Sequence, residues 1–365
     1  MQKLTKWACA AAFQSVLVAA SAASAQQVPE GYPADYKAIV DAGIKEGTVN
    51  VYSPTDSEQA AGLIKGFEQA YPGITVKWND VASGAVYNRV VSEAAASQVG
   101  SDIVWSNGLD LQLQLVKAGY AEPYKSVEFD KIPEWARYQD TAYSTTIEPA
   151  VFMYNNVVFK LTPPKSHKEL TELLKANASV LSGKVATFDP EKSAQAFVSM
   201  ENDVAHDPDG FWALIDAFGA AKGKVYSSSG QLREKVLSGE HPFAFNVNGA
   251  YAIGWAKKSP NLTVVFPADY TTASSRAVFI TKNAKNPNAA KLFLDYMLSK
   301  PGQEATANAG LPSIRNDVSA DNYETINKLA FGKLVPVKLD ESLLEGLKPT
   351  KRGAFFQKWK KAVQR

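Results

Sequence analysis

The sequence predicts an α/β protein of two lobes, each a mostly parallel sheet flanked by helices, joined by two hinge crossings into a clamshell. Three observations predict it. From Thr48 to Leu115, β-prone apolar runs alternate with helical spacing, the pattern of βαβ units with a right-handed crossover. A run of hydroxyl residues at 143–149 feeds directly into the β-rich segment 150–154. A second such run, 269–276, leads back into another β-prone segment, 277–280. Two crossings between two α/β lobes leave a cleft lined by both, the default place for a ligand.

Ahead of the first lobe stand Lys3 and Lys6, an apolar run at 7–20 too short to span a bilayer, and the small-residue site Ala23-Ser24-Ala25. These are the three parts of an export signal, placed at residues 1–25. Cys9, the one cysteine, lies inside that segment without the apolar lead-in of a lipid-bearing cysteine. The exported chain is therefore expected to be soluble and unanchored, with no disulfide, thiolate metal site or Cys nucleophile. Loss of Lys3 and Lys6 takes the formal charge from +2 to zero, and no long run of one sign follows. That removes the electrostatic case for nucleic acid or an anionic membrane surface. An apolar content of 45% suits a packed protein, and the length suits two medium cores.

Segment 36–46 carries Ile39, Val40 and Ile44 at helical spacing and stops at Gly47. A strand follows at 48–52, then the loop Ser53-Pro54-Thr55-Asp56 and a helix burying Leu63, Ile64 and Phe67. The second strand is 74–78. Its loop, Ala82-Ser83-Gly84-Ala85, opens a helix marked by Val86, Val90 and Val91. The third strand, 102–105, ends in Ser106-Asn107-Gly108 before a helix through Leu111 and Leu115. Turn chemistry alone selects such residues at any one loop. Three strand ends in succession that set Ser, Thr, Asp and Asn against helix starts match the place where open α/β sheets bind ligands.

In the second lobe, helices are expected at 168–174, 193–204 and 210–221, with a strand at 185–188 and a break at Asp189-Pro190. The short strand 224–226 runs into three serines, of which Ser228 or Ser229 caps the next helix. That helix buries Leu232, Val236 and Leu237, turns Arg233, Glu234 and Lys235 largely outward, and stops at Gly239. Phe243, Phe245 and Val247 alternate as in a strand covered on one face, and run into Asn248-Gly249, read as a turn before Tyr251. A helix start beside two or three hydroxyls favours an anion. A strand at 264–266 completes the lobe. After the return crossing, helix 288–298 points Leu292, Phe293, Tyr296 and Met297 inward, and the remaining helices are expected to close the first lobe. Lobe 1 is thus 26–146 plus 274–365, and lobe 2 is 147–273.

The segments VYSPTDSEQA, SGAVYNR, SDIVWSNGLDLQLQLV, TTIEPAVFMYN, SSSGQLREKVLSGE, FNVNGAY, AVFITKNAKNPNAAKLFLDYMLSKPGQE and LPSIRNDV, in that order, resemble the periplasmic solute-binding proteins of ABC importers, in the group built around ferric-iron binders. The resemblance implies the type 2 periplasmic-binding clamshell, a periplasmic location, a monomer, an inner-membrane ABC permease as partner, and neither enzymatic activity nor a cofactor. Ferric members hold iron with a histidine, a glutamate and two neighbouring tyrosines. The matching positions here are Asp56, Asn107, Ala250 and Tyr251, so most of the anionic oxygens that a hard trivalent ion needs are gone. His167, His206 and His241 are expected to be surface residues that do not restore a metal site.

The resemblance also implies a seat for an oxyanion beside the second-lobe helix and the hinge loop, positions held here by Ser229 and 144–146. The expectation is an anion pocket without its metal, and hence a small organic anion as solute. Arg276 is expected to close on phosphate, phosphonate or carboxylate in bidentate fashion, the alternative being a surface ion pair. Glu148 would accept from the ammonium or hydroxyls of an aminophosphonate or sugar phosphate, the alternative being an internal pair with Arg276 or a lysine. The candidate ligand-binding residues are Ser53, Thr55, Asp56, Ser83, Gly84, Asn107, Thr145, Thr146, Glu148, Ser228, Ser229, Asn248, Tyr251 and Arg276. Tyr87 is a further cleft candidate, and Trp105 is expected to pack in the core.

Two other classes compete. An exported hydrolase would need a nucleophile or metal motif, and no G-x-S-x-G, H-E-x-x-H or Cys-His pairing occurs, while Asp56 and Glu148 sit on opposite sides of the hinge. A ferric carrier would need the ligands that have changed. A binder that presents its solute to a chemoreceptor would use the same pocket.

Overall fold

The computed structural model describes residues 28–364, so the export signal at 1–25, with Cys9, lies outside the described residues. The first lobe begins with α1 (Tyr36–Glu46), β1 (Thr48–Ser53), α2 (Ser57–Ala70), β2 (Thr75–Asp80), α3 (Ser83–Ala95), β3 (Ile103–Ser106) and α4 (Leu109–Lys117), then β4 (Arg137–Tyr138) and β5 (Ala142–Ser144). The βαβ alternation makes β1 parallel to β2 and β3. Gly47 ends α1 in the left-handed region at φ 69°, and its N–H returns to the carbonyl of Gly43. Val49, Val51, Phe67 and Ile103 are fully buried, and burying each such side chain contributes about 1.5–3 kcal/mol.

The second lobe holds β6 (Glu148–Asn155), α5 (His167–Ala176), β7 (Val185–Phe188), α6 (Ala194–His206), α7 (Pro208–Ala220), β8 (Lys224–Tyr226), α8 (Ser229–Leu237), β9 (Phe243–Asn248), α9 (Gly249–Lys258), β10 (Leu262–Val265) and β11 (Thr271–Ser274). The chain returns through β12 (Ala277–Ile280), α10 (Pro287–Leu298) and α11 (Lys300–Asn308). It finishes with α12 (Tyr323–Leu329), β13 (Leu334–Pro336), α13 (Ser342–Leu347) and α14 (Pro349–Ala362). Among the described residues the sheet orders are β2-β1-β3-β12-β5-β4 and β13-β11-β6-β9-β7-β8, with β10 on β6. Both sheets are more mixed than expected. β12 runs against β3, and β6 runs against both β9 and β11, because strands that carry the chain between lobes meet their neighbours head-on.

The crossings lie side by side. Ala277 faces Ser144 in the first sheet and Ser274 faces Glu148 in the second, leaving 145–147 and 275–276 between the lobes. Thr145 N–H donates to the Arg276 carbonyl at 2.9 Å within this hinge.

Four expectations need correction. β9 is covered on both faces, since it lies mid-sheet between β6 and β7 and all of it but Asn246 is buried. Asn248-Gly249 is a helix start, with Asn248 as cap accepting from Ala250 N–H, so Tyr251 stands in the first turn of α9. Of the tail, α10 and α11 close the first lobe, but β13 pairs with β11 in the second sheet and α14 buries Phe355 and Trp359 against α7. An amphipathic helix signals a buried face, not which lobe covers it. Finally, only His206 is exposed: His241 is buried against Tyr226, and His167 stacks on Tyr270 and bonds Asp269. Among the described residues, no helix is long and apolar enough to cross a membrane.

Candidate functional site

Where strands are followed by helices that pack back on the sheet, the strand ends and helix starts gather at one edge. Here the edges of the two lobes face each other across a cleft of about 640 Å³. The starts of α2, α3 and α4 reach it from the first lobe, and those of α6, α8 and α9 from the second. A ring of helix N-termini gives the space a positive bias before any side chain is counted. Of the sequence candidates, Asp56, Ser83, Gly84, Asn107, Ser228, Ser229 and Tyr251 line the cleft.

The remaining candidates lie beneath it, occupied with one another. Glu148 and Arg276 form an ion pair at 2.8 Å, both side chains 0% exposed, which is the internal pairing weighed for Glu148. Glu148 Oε1 also accepts from the Thr146 hydroxyl at 2.8 Å, and Oε2 from Asn248 Nδ2 at 2.7 Å and Gln195 Nε2 at 3.2 Å. Arg276 gives Nη1 to Thr55 Oγ1 at 2.6 Å and Nη2 to the Tyr251 phenol oxygen at 2.9 Å. Burial alone would lower the guanidinium's pKa, but Glu148 and Tyr251 outweigh it and the net shift is upward. Thr145 Oγ1 accepts from Trp105 Nε1 at 2.7 Å, and Ser53 Oγ from Thr55 N–H at 3.1 Å. Arg276 and Glu148 are therefore corrected from solute contacts to a buried hinge brace, and Ser53, Thr55, Thr145, Thr146 and Asn248 from cleft residues to its supports. Trp105 is core, as expected, and Tyr87 packs with the first-lobe core outside the cleft lining.

This brace reaches both walls. Ser83 Oγ donates to Asn107 Oδ1 at 2.6 Å, Asn107 Nδ2 to Gln195 Oε1 at 3.2 Å, and Gln195 onward to Glu148. On the other side, the Tyr251 hydroxyl donates to Gln59 Oε1 at 3.1 Å. Asn107 and Gln59 belong to the first lobe, Gln195 and Tyr251 to the second, so two side-chain links join the lobes at the cleft floor. Beside them Gly108 lies so close to the second lobe that an added Cβ would stand 3.4 Å from that of Ala194.

Residues 62–329 match the family model for bacterial extracellular solute-binding proteins. The chain belongs to that family. A structure of the substrate-binding protein of an ABC transporter from Agrobacterium tumefaciens is 33% identical, with 87% of this chain and 94% of that one covered at TM-score 0.80. Periplasmic binding protein AfuA from Actinobacillus pleuropneumoniae, solved with fructose-6-phosphate, is 20% identical over 87% of this chain and 99% of its own, TM-score 0.71. Iron-bound HitA from Pseudomonas aeruginosa is 18% identical over 86% and 99%, TM-score 0.68. This chain is thus the solute-binding component of an ABC transporter, an extracytoplasmic two-lobed protein with a type 2 fold.

In this solute-binding protein the side chains that face the cleft without partners include several that sequence reasoning passed over. Arg233 lies over the Trp255 ring at 5.4 Å, and Trp255 stacks on Tyr251 at 5.9 Å and 13°. Among the described residues Arg233 meets no carboxylate, and its Nε is buried without a hydrogen-bond partner. Next to it the N–H groups of Ser229 and Gly230 open α8, while Ser228 Oγ accepts from Gln231 N–H at 3.3 Å. Opposite stand Asp56 and Asp80, and the Asp80 carboxyl is raised by partial burial and by the neighbouring Asp56. Spacing held the signal: Arg233 is i+4 from Ser229 and Trp255 is i+4 from Tyr251, so each pair shares a helix face. Among the described residues no three of His, Cys, Asp or Glu converge as a metal cluster. Of the positions matching iron ligands, Asp56 and Asn107 face the cleft, Ala250 is buried, and the Tyr251 phenol is engaged by Arg276 and Gln59.

Proposed function

We propose that this solute-binding protein captures a small organic anion with a phosphate- or phosphonate-type head in the interlobe cleft and delivers it from the periplasm, as a monomer, to an inner-membrane permease. The observation that carries the reading is Arg233, a guanidinium on the cleft wall with an aromatic platform and, among the described residues, no acid paired with it. A planar fork with unused donors matches an oxyanion. The open N–H groups of Ser229 and Gly230 add fixed donors beside it, as helix starts do for phosphates. The ring of helix N-termini supports the same sign of charge. Solute held on the second-lobe wall would meet Asn107 and Ser83 as the lobes rotate together about 145–147 and 275–276. Catalysis forms no part of the proposal, because the polar groups of the second-lobe wall read as donors to an anion.

The test is a thermal-shift screen of the mature protein against small phosphates, phosphonates and carboxylates, with ferric iron as a control. A ligand at about 100 times its dissociation constant should add roughly 2.7 kcal/mol of stability. Stabilisation by iron with a visible tyrosinate band, and none by the anions, would overturn the reading in favour of a ferric carrier.

A further inference from the structure

We infer that the solute is dipolar: its anionic head on the second-lobe wall is matched by an alkylammonium group seated between Asp56 and Asp80 on the first-lobe wall. This rests on the anionic-solute reading and narrows it to amino-bearing phosphates and phosphonates.

The two acids are placed by the sheet. Asp80 ends β2, directly across from Ser53 at the end of β1, and Asp56 follows β1 by three residues at the start of α2. An aspartate at a helix N-cap usually turns its carboxylate onto its own helix, yet Asp56 makes no such cap bond. Among the described residues neither Asp56 nor Asp80 has a side-chain hydrogen bond or an ion pair, although both line the cleft. On the opposite wall of the same cleft, among the described residues, Arg233 meets no carboxylate and its Nε is buried without a hydrogen-bond partner. Two acids without side-chain partners on one wall thus face an arginine without one on the other, inside one cavity. A solute with only negative charge would satisfy one wall and be repelled by the other on closure. A molecule with an ammonium a few bonds from its anionic head satisfies both: the Asp80 carboxyl is raised by partial burial and, second, by Asp56, and a cation between the two acids relieves that second part.

The experiment is calorimetric titration of the mature protein with three probes that differ only at the far end: 2-aminoethylphosphonate, 2-hydroxyethylphosphonate and ethylphosphonate. The amino probe should bind at least tenfold tighter than either of the others. In Asp56→Asn and Asp80→Asn, both exposed isosteric changes, that preference should shrink to within about threefold. Equal affinity for all three probes would overturn the inference while leaving the anionic reading intact, and tighter binding of the hydroxyl probe would assign the acids to a sugar-like body. A preference that survives both asparagine variants would also overturn it. Failure of all three probes to bind would sink this inference and the anionic reading together.

Discussion

Arg276→Met separates a hinge brace from a ligand contact. Arg276 and Glu148 are both 0% exposed at the side chain, and removing one partner of such a pair leaves an uncompensated buried charge at a cost of about 3–5 kcal/mol. Thr146, Asn248 and Gln195 still donate to Glu148 in the variant, which argues for the lower end, near 3 kcal/mol. At roughly 2–4 °C per kcal/mol for domains somewhat smaller than this chain, the melting temperature should fall by about 6 °C or more. Adding Glu148→Gln removes the stranded charge and should recover a large part of that loss. The assay is thermal unfolding of the ligand-free protein, followed by calorimetric titration of a phosphonate into whatever remains folded. A melting temperature within about 1 °C of the parent, together with a hundredfold loss of affinity, would refute the reasoning and return Arg276 to the solute.

Three other perturbations probe separate parts of the account. Gly108→Leu should wedge the lobes apart, since even a Cβ there would touch Ala194, and weaken phosphonate binding at least tenfold with a larger radius of gyration by small-angle scattering; an unchanged Kd would place Gly108 away from the closing surface. Trp255→Ala removes the platform under Arg233, and a cation–π contact worth about 0.5–1 kcal/mol predicts a loss of affinity of roughly two- to fivefold, with no loss counting against the stack. Burial pushes Asp203 up to about 6, against an unfolded value of about 3.9, so the folded state holds that proton longer and stability is lost as pH rises from about 4 to 6. Asp203→Asn should therefore gain on its parent by up to about 2–3 kcal/mol between pH 4 and 7 in urea unfolding, and a constant difference would contradict the shift.

Much of the fold could be read from periodicity. The βαβ units from Thr48 to Leu115 lie within a residue or two of where alternation puts them, because each is a local pattern. The tail is less legible because β13 and α14 are fixed by β11 and α7, partners that are remote in sequence and that no local pattern names. The site was half legible for a related reason. Ser228, Ser229, Asp56 and Asn107 stand at strand ends and helix starts, and topology alone brings them to the cleft. Whether an arginine is free or spent depends on which acid reaches it, and sequence does not say. Arg276 is spent on Glu148, 128 positions away, whereas Arg233, assigned to the outward face of α8, lies on Trp255.

The most direct test of the central claim is the affinity of Arg233→Ala for the phosphonate that the parent binds best, measured by calorimetry. Charge-assisted hydrogen bonds of about 1.5–3 kcal/mol predict a loss of roughly ten- to a hundredfold. The ligand-free melting temperature should stay near the parent's, because among the described residues Arg233 has no acid partner to strand. Parent-like affinity in Arg233→Ala would contradict the account.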